Sequence, residues 1–276
     1  MVAATDPQAG PVSNPMPKPE NRVWKKFRHH RSAMLGGFLV LFFIAIAILA
    51  PILPIPEPQA TDWGAVREAP SMAHLFGTDE IGRDVLARMI WGAQASLLAG
   101  VVSVGIAVLV GVPFGLVAGY FGGWIDAVIS RVTEALLAVP FLIAIGISAT
   151  PIFIRLTRGQ VISVKVEDYV DSARAIGLPT RMILSRYILP NVAAPILVQA
   201  TLTIATAIIA EASLSFLGLG QQPPAPSWGS MLNTAKNFLN QAPWMALWPG
   251  ISIFLVVLGF NLLGDGLRDA LDPREH

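Results

Sequence analysis

The sequence predicts an all-α protein, a polytopic bundle of membrane-spanning helices, and three observations predict it. Apolar residues make up 54% of the 276 residues and charged residues only 13%, with a mean hydropathy of +0.60. An average soluble domain is about 25% charged, so this chain lacks the polar surface that water requires. The charges it has are clustered, leaving five uncharged runs long enough to cross roughly 30 Å of hydrocarbon at about 1.5 Å per residue. Each run is expected to be helical, because an open strand leaves its backbone groups unsatisfied in lipid. The same apolar richness, with a net charge of only +1, excludes disorder and nucleic-acid binding. With no cysteine there is no disulfide framework, thiolate nucleophile or cysteine metal site. The histidines, His29, His30, His74 and His276, are scattered or in tails, so no histidine-rich metal site is expected.

The elements follow in order. The first twenty residues, with Pro7, Pro11, Pro15, Pro17 and Pro19, read as a disordered tail. Ser32 to Pro56 carries no charge and has its apolar centre at Met34 to Leu53. It is not a cleavable signal: about thirty residues precede it, its apolar run is too long, and no small-residue cleavage site follows. Within the uncharged stretch Met89 to Ile125, the span is Ser96 to Ala118. Ala135 to Ile154 is a third run, Tyr187 to Ala210 a fourth starting near Val192, and Phe238 to Gly264 a fifth starting near Met245. Pro51, Pro113, Pro140, Pro195 and Pro249 lie inside or beside these runs, where neighbouring helices tolerate kinks.

Loop charge sets the orientation, and here the sequence contradicts itself. Lys18, Arg22, Lys25, Lys26, Arg28 and Arg31 face a single acid, Glu20, so the N-terminus is expected in the cytoplasm. Residues 54–93 are acidic on balance and suit the outside, as does 218–243 with only Lys236. Arg155, Arg158, Lys165, Arg174, Arg181 and Arg186 place the loop that contains them inside. Five spans counted from a cytoplasmic N-terminus put that loop outside. One more crossing between Trp124 and Arg155 removes the conflict, but two spans need about 40 residues, and only 30 intervene.

That basic loop holds the most specific pattern in the chain, Glu167-Asp-Tyr-Val-Asp-Ser-Ala-Arg-Ala-Ile-Gly-Leu-Pro-Thr-Arg-Met-Ile-Leu-Ser-Arg-Tyr-Ile-Leu-Pro190. Asp168 or Asp171 suits the start of a short helix, Gly177 a left-handed stop, and Pro179 the first turn of a second helix. Two short helices meeting at a corner are expected. The small side chains between Ser172 and Gly177 would let a partner surface approach closely. An interfacial amphipathic loop is the alternative reading.

Asp171-Ser172-Ala173, three residues, Gly177, and then Leu189-Pro190 resemble the EAA motif of ABC-importer permease subunits. The family pattern is Glu-Ala-Ala, three residues, Gly, nine residues, Ile-x-Leu-Pro; this chain departs at Asp171, Ser172 and Tyr187. Further blocks are similar to the C-subunit type of dipeptide, oligopeptide and nickel permeases: His74–Asp84, Ala118–Trp124, Ala212–Gly220, Gln222–Gly229 and Phe260–Pro273. The resemblance covers nearly the whole chain. It implies the type I importer permease fold, with an N-terminal cytoplasmic tail at 1–31, a first transmembrane helix at 32–56 and a periplasmic segment at 57–93. A permease core would follow at 94–264, containing the coupling loop 155–190, and a cytoplasmic tail at 265–276. It further implies that Asp171, Ser172, Ala173, Arg174, Ala175, Gly177, Leu189 and Pro190 dock a cytoplasmic ATPase. Against the family, roughly 15–25 residues, about one span, are absent after Ile143, where the parity conflict also falls.

No Gly-Lys dipeptide is present, hence no Walker-type phosphate loop. The chain is expected to bind no cofactor and to be no enzyme. ATP would be bound by two partner ATPase subunits, beside a second homologous permease, a periplasmic or lipid-anchored solute-binding protein, and membrane lipid. Asp79, Arg83 and Asp84 are candidate contacts for that binding protein, with salt bridging inside the outer segment as the alternative. Glu211 is expected to snorkel or to pack between helices. Gly100, Gly105, Gly111, Gly115 and Gly119 suit close helix packing. Trp63, Trp91, Trp124, Trp228, Trp244 and Trp248 suit interfacial anchors. An ion-coupled transporter or channel would need intramembrane acids, for which Glu134 and Glu211 are the nearest candidates. An inactive, internally deleted permease is the third reading.

Overall fold

The computed structural model describes residue 27 and residues 30–138, 145–222 and 224–271; for 135–138 and 145–147 it gives the backbone alone. Eight helices can be named among them. They are α1 (Arg31–Leu49), α2 (Val85–Phe121), α3 (Gly123–Ala138), α4 (Ile145–Val164), α5 (Asp168–Ala175), α6 (Thr180–Phe216), α7 (Trp228–Ala235) and α8 (Trp244–Leu271). Four of these, α1, α2, α6 and α8, are long and apolar enough to cross a membrane. The tail 1–26 and residues 272–276 lie outside the described residues, as do Pro140 and Ile143.

Helix boundaries follow from local chemistry. Asp84 accepts the Ala87 N–H at 2.8 Å and so caps α2. At 37 residues, α2 is about 55 Å long and overruns the expected span at both ends. Gly122 and Gly123, at φ 63° and 56°, reverse the chain after α2 in a conformation that side chains with a Cβ resist. Ser227 and Ser230 close a reciprocal capping box at the start of α7.

Small residues bring the helices together. Methyl groups added at Gly36 of α1 and Gly264 of α8 would strike α8 and α6 respectively. Gly100 of α2 sits under Ile204 and Ile208 of α6. The decisive contact is between α2 and α4: Gly111 meets Phe153, Gly115 meets Thr157 and Gly119 meets Val161. Both numbers rise together, so α4 runs parallel to α2.

This corrects the third expected span. Ala135 to Ile154 is not one helix: α3 ends at Ala138 and α4 begins at Ile145. The Asp126 carboxylate near the start of α3 accepts Arg158 Nη2 at 2.6 Å, and Nε as well, from the far part of α4. The two helices therefore form an antiparallel pair. That pair supplies the change of direction that the charge pattern demanded, and it brings the basic loop to the same end as the start of α1. There His30 Nε2 lies 3.0 Å from Asp269 of α8. The pair is short, however. Carrying the α2–α4 register back places Ile145 level with Ser103, the midpoint of α2.

Two apolar clusters form the core. One, at the end of the bundle where α2 begins, surrounds Trp228, which is fully buried, donates Nε1–H to Met89 O at 3.1 Å and meets Phe43 edge-on. Trp228 is thus a core residue and not the interfacial anchor expected; Trp63 and Trp124 are exposed. The other cluster joins Phe153 and Val161 of α4 to Ile183, Ile188 and Val192 of α6. Glu211 does not snorkel. It is buried between helices and accepts Ser215 Oγ–H at 2.7 Å. Of the glycine run, only Gly105 faces open space.

Gly115→Val should destabilise the protein by about 1–3 kcal/mol, because its Cβ would lie 2.7 Å from the Ile154 carbonyl oxygen. Gly105→Ala should be neutral. Thermal unfolding in detergent measures both, and a Gly115→Val midpoint equal to wild type would contradict the parallel packing.

Candidate functional site

The strongest candidate is α5 with the corner that follows it. Asp168 and Asp171 lie in its first turn and Arg174 in its last, each complementing the helix dipole. Glu167 occupies the cap position but accepts no capping bond, so the acids act here through charge. The helix ends in a Schellman motif: Leu178 N–H donates to Ala173 O at 3.2 Å and Gly177 N–H to Arg174 O at 2.9 Å. Gly177 takes φ 77°, as the stop requires. Pro179 precedes the next helix as its cap rather than sitting in its first turn.

One face of α5 is anchored and the other is free. Val170 and Ala173 point into the cluster formed by Ile183, Ile188 and Val192. The expectation that every small side chain from Ser172 to Gly177 is exposed is therefore corrected for Ala173, which is 2% exposed. Asp171, Ser172, Arg174, Ala175 and Gly177 face outward. So does Ile176, at 74% exposure, an apolar side chain left at the corner. A Cβ at Gly177 would meet nothing within 4 Å. The Arg174 guanidinium lies 5.3 Å from the centre of the Tyr120 ring and donates to Asp171 at 2.8 Å. Lys165 Nζ donates to Gly119 O at 2.9 Å, at the C-terminal end of α2.

Leu189 and Pro190 lie where α6 returns from a π turn, Ile183–Ile188, to an ordinary helix. Proline cannot donate a backbone N–H, and its ring crowds the carbonyl four residues back; widening the helix just before Pro190 relieves that contact. Asn191 Nδ2 donates to Tyr187 O at 2.6 Å in the same turn.

At the opposite end, Asp79, Arg83 and Asp84 are turned inward. Asp79 accepts N–H groups from Ile81 and Arg83 and the Arg83 Nε–H at 2.6 Å, with Arg88 Nε at 3.5 Å. Asp84 caps α2 and meets His74 Nδ1 at 2.9 Å. Asp79 and Arg83, 4% and 8% exposed, hold this segment together, the salt-bridging arrangement that is the alternative reading of them. Arg88, Thr78 and Trp244 belong to the same assembly, since Trp244 Nε1–H donates to Thr78 O at 3.1 Å. Sequence reasoning missed them, as it missed the Asp126–Arg158 pair, because partners so far apart in the chain leave no spacing signal. Among the described residues no cluster of three or more metal-ligating side chains occurs.

Burial first, and the Asp79 carboxylate second, raise the Glu80 pKa above its usual 4.5. One Glu80 oxygen accepts Arg83 Nη2 at 2.6 Å; the other is buried without a partner. A folded pKa above the unfolded one stabilises fully below about pH 4.5 and loses that contribution as pH rises through the raised value. The thermal midpoint of wild type relative to Glu80→Gln should accordingly fall as pH is raised from 4.5. Parallel wild-type and variant profiles would refute this.

The profile of binding-protein-dependent transport system inner membrane components matches residues 141–276. That of the N-terminal transmembrane domain of oligopeptide transport permease C matches residues 20–70. The dipeptide transport system permease protein DppC of Alkalihalophilus pseudofirmus is 44% identical over 274 residues, covering 93% of this chain and 90% of its own. The glutathione transport system permease protein GsiD of Pectobacterium atrosepticum is 41% identical over 275 residues, covering 93% and 91%. GsiD of Escherichia coli O6:K15:H31 is 42% identical over 292 residues, covering 97% and 96%. In the first match, 93% of 276 residues is about 257 of the 274 positions, so about 17 have no counterpart in this chain. In the third, 97% is about 268 of 292, leaving about 24.

Proposed function

The chain belongs to the family of binding-protein-dependent transport system inner membrane components, as a multi-pass permease subunit of an ABC importer, and we propose that it carries small peptides and is driven through α5. The family works with a partner permease, ATPases and a solute-binding protein in general, and is not an enzyme class. For this chain the reading is specific. It pairs with one homologous permease, two cytoplasmic ATPases seat against α5, and the N-terminus is cytoplasmic. The peptide class rests on relatives whose names specify dipeptide and glutathione.

The observation that carries the coupling role is the division of α5 into two faces. Val170 and Ala173 are locked into the cluster that contains Ile183, Ile188 and Val192 of α6 and Phe153 and Val161 of α4. Ser172, Ala175, Ile176 and Gly177 present a small-residue and apolar surface to the outside. A push on the free face therefore reaches two long helices through close-packed side chains. When the ATPases close on ATP, α5 moves with them, and α4 and α6 follow. The pathway between the permeases then opens outward to receive solute from the binding protein. The basic N-terminal segment and the arginines of 155–186, gathered at one end, support the orientation.

Gly177→Trp should insert normally yet lower peptide uptake at least tenfold, with loss of binding-protein-stimulated ATP hydrolysis in vesicles that contain all subunits. In the same vesicles a cysteine replacing Ser163 should be shielded from an external impermeant maleimide, and one replacing Gln222 should react. Wild-type uptake by Gly177→Trp removes the coupling assignment; labelling at Ser163 removes the orientation.

The short α3–α4 pair bears on activity. The positions missing relative to DppC and GsiD, divided between two legs, would lengthen each by about 13–18 Å and carry the pair to the outer part of α2. The 276-residue chain should therefore transport poorly, and about 20 residues inserted after Ile143 should restore uptake. Full uptake without the insertion would show that the missing crossing is dispensable.

A further inference from the structure

A groove of about 570 Å³ opens between the last turns of α2 and the start of α6. Leu116, Met182, Leu184 and Leu189 contribute apolar walls, and Arg181 and Arg186 line it as cations. Arg158 is engaged with Asp126, Lys165 with Gly119 O, and Arg174 with Asp171, whereas Arg155 is exposed and has no ion pair among the described residues. Arg181 and Arg186 are exposed, and among the described residues neither has an anionic partner.

Arg181 and Arg186 line the same groove, one before and one within the π turn Ile183–Ile188. In an ordinary helix residues five apart point about 140° from one another, at 3.6 residues per turn. The π turn that starts at Ile183 bonds residues five apart, as in Leu189 N–H to Leu184 O, and its wider winding lessens that divergence over the part of the path it covers. Arg181 and Arg186 are five apart, and both line the groove. Ser185, between them, has its hydroxyl committed to Arg181 O at 2.8 Å, so the anion-binding capacity comes from the guanidinium groups.

The groove's position selects the occupant. Leu116 lies in the last two turns of α2 and the arginines in the first two turns of α6, both helices long and apolar enough to cross a membrane, so the groove sits where the ends of two such helices meet. A soluble partner does not reach into an apolar layer; an amphiphile with an anionic head and an apolar tail fits both the cations and the apolar walls. Basic pockets between helices at a membrane surface take phosphate headgroups in this way, and guanidinium groups bind phosphate through paired hydrogen bonds. We propose that this groove binds one anionic phospholipid, its phosphate on Arg181 and Arg186 and the upper part of an acyl chain against Leu116, Leu184 and Leu189.

The test uses the complete transporter, permeases with ATPases, purified in detergent. Thermal unfolding is followed during titration with phosphatidylglycerol, with phosphatidylcholine of the same acyl chains, and with inorganic phosphate. Phosphatidylglycerol should raise the midpoint saturably, and the other two should not. Arg181→Gln/Arg186→Gln should raise the half-saturating concentration about twenty-five-fold, from about fivefold per arginine. Arg131→Gln, at an exposed position on α3, should leave it unchanged. An equal response to phosphatidylcholine, a response to phosphate alone, or an unaltered double variant overturns the proposal. So does a phosphatidylglycerol effect confined to the permeases without ATPases, which would make the groove part of the ATPase interface. If the double variant does not fold, native mass spectrometry of the wild-type transporter decides. Retention of phosphatidylglycerol over phosphatidylcholine at one per copy of this chain supports the site, and no such retention overturns it.

Discussion

Three glycines on α2 decide which way the rest of the chain runs. Gly111, Gly115 and Gly119 lie four residues apart on one face and let α4 approach until Phe153, Thr157 and Val161 rest on the α2 backbone. In lipid, helices gain little from burying apolar surface against each other, so close backbone approach is a main source of association. A four-residue repeat that matches the helical turn also fixes the register. Because that register is parallel, α3 must return the chain, and the basic loop ends beside the start of α1. The direction of α6 and α8 follows from there.

The two ends of the bundle use polar groups differently. At the end where α2 begins the charges serve structure: Asp79 holds Arg83 and Arg88, Asp84 caps α2 and meets His74, and Trp244 and Trp228 donate to carbonyls from distant segments. At the other end only some charges are committed. Asp126 with Arg158, and Lys165 with the end of α2, hold the α3–α4 pair and its exit in place. The outer face of α5 and the arginines at the start of α6 remain open.

Pairing α3 with α4 turns the chain back on itself between α2 and the basic loop, with both helices much shorter than α2. α3 has 16 residues and α4 20, against 37 in α2. α4 starts level with the middle of α2, and the relatives carry about 17 to 24 additional positions within the matched region. Direction and depth are therefore separate properties here. Local packing at Gly111–Gly119 preserves direction even where depth is lost.

The sequence by itself determined the helical class, the approximate spans and the corner at Gly177. Membrane partition sums over consecutive residues, and a left-handed stop depends on one glycine and its neighbours. It also marked the segment between Trp124 and Arg155 as inconsistent, since loop charge and span count are both linear readings. Four things were beyond it: the split of Ala135–Ile154 into two helices, the inward turn of Ala173, the core position of Trp228, and the groove that Arg181 and Arg186 share. Each depends on which face of a helix meets which neighbour. That choice is made by contacts between residues far apart in the chain, such as Trp228 with Met89 and Gly115 with Thr157, and by a helix that widens just before a proline. Only the tertiary structure brings those partners together.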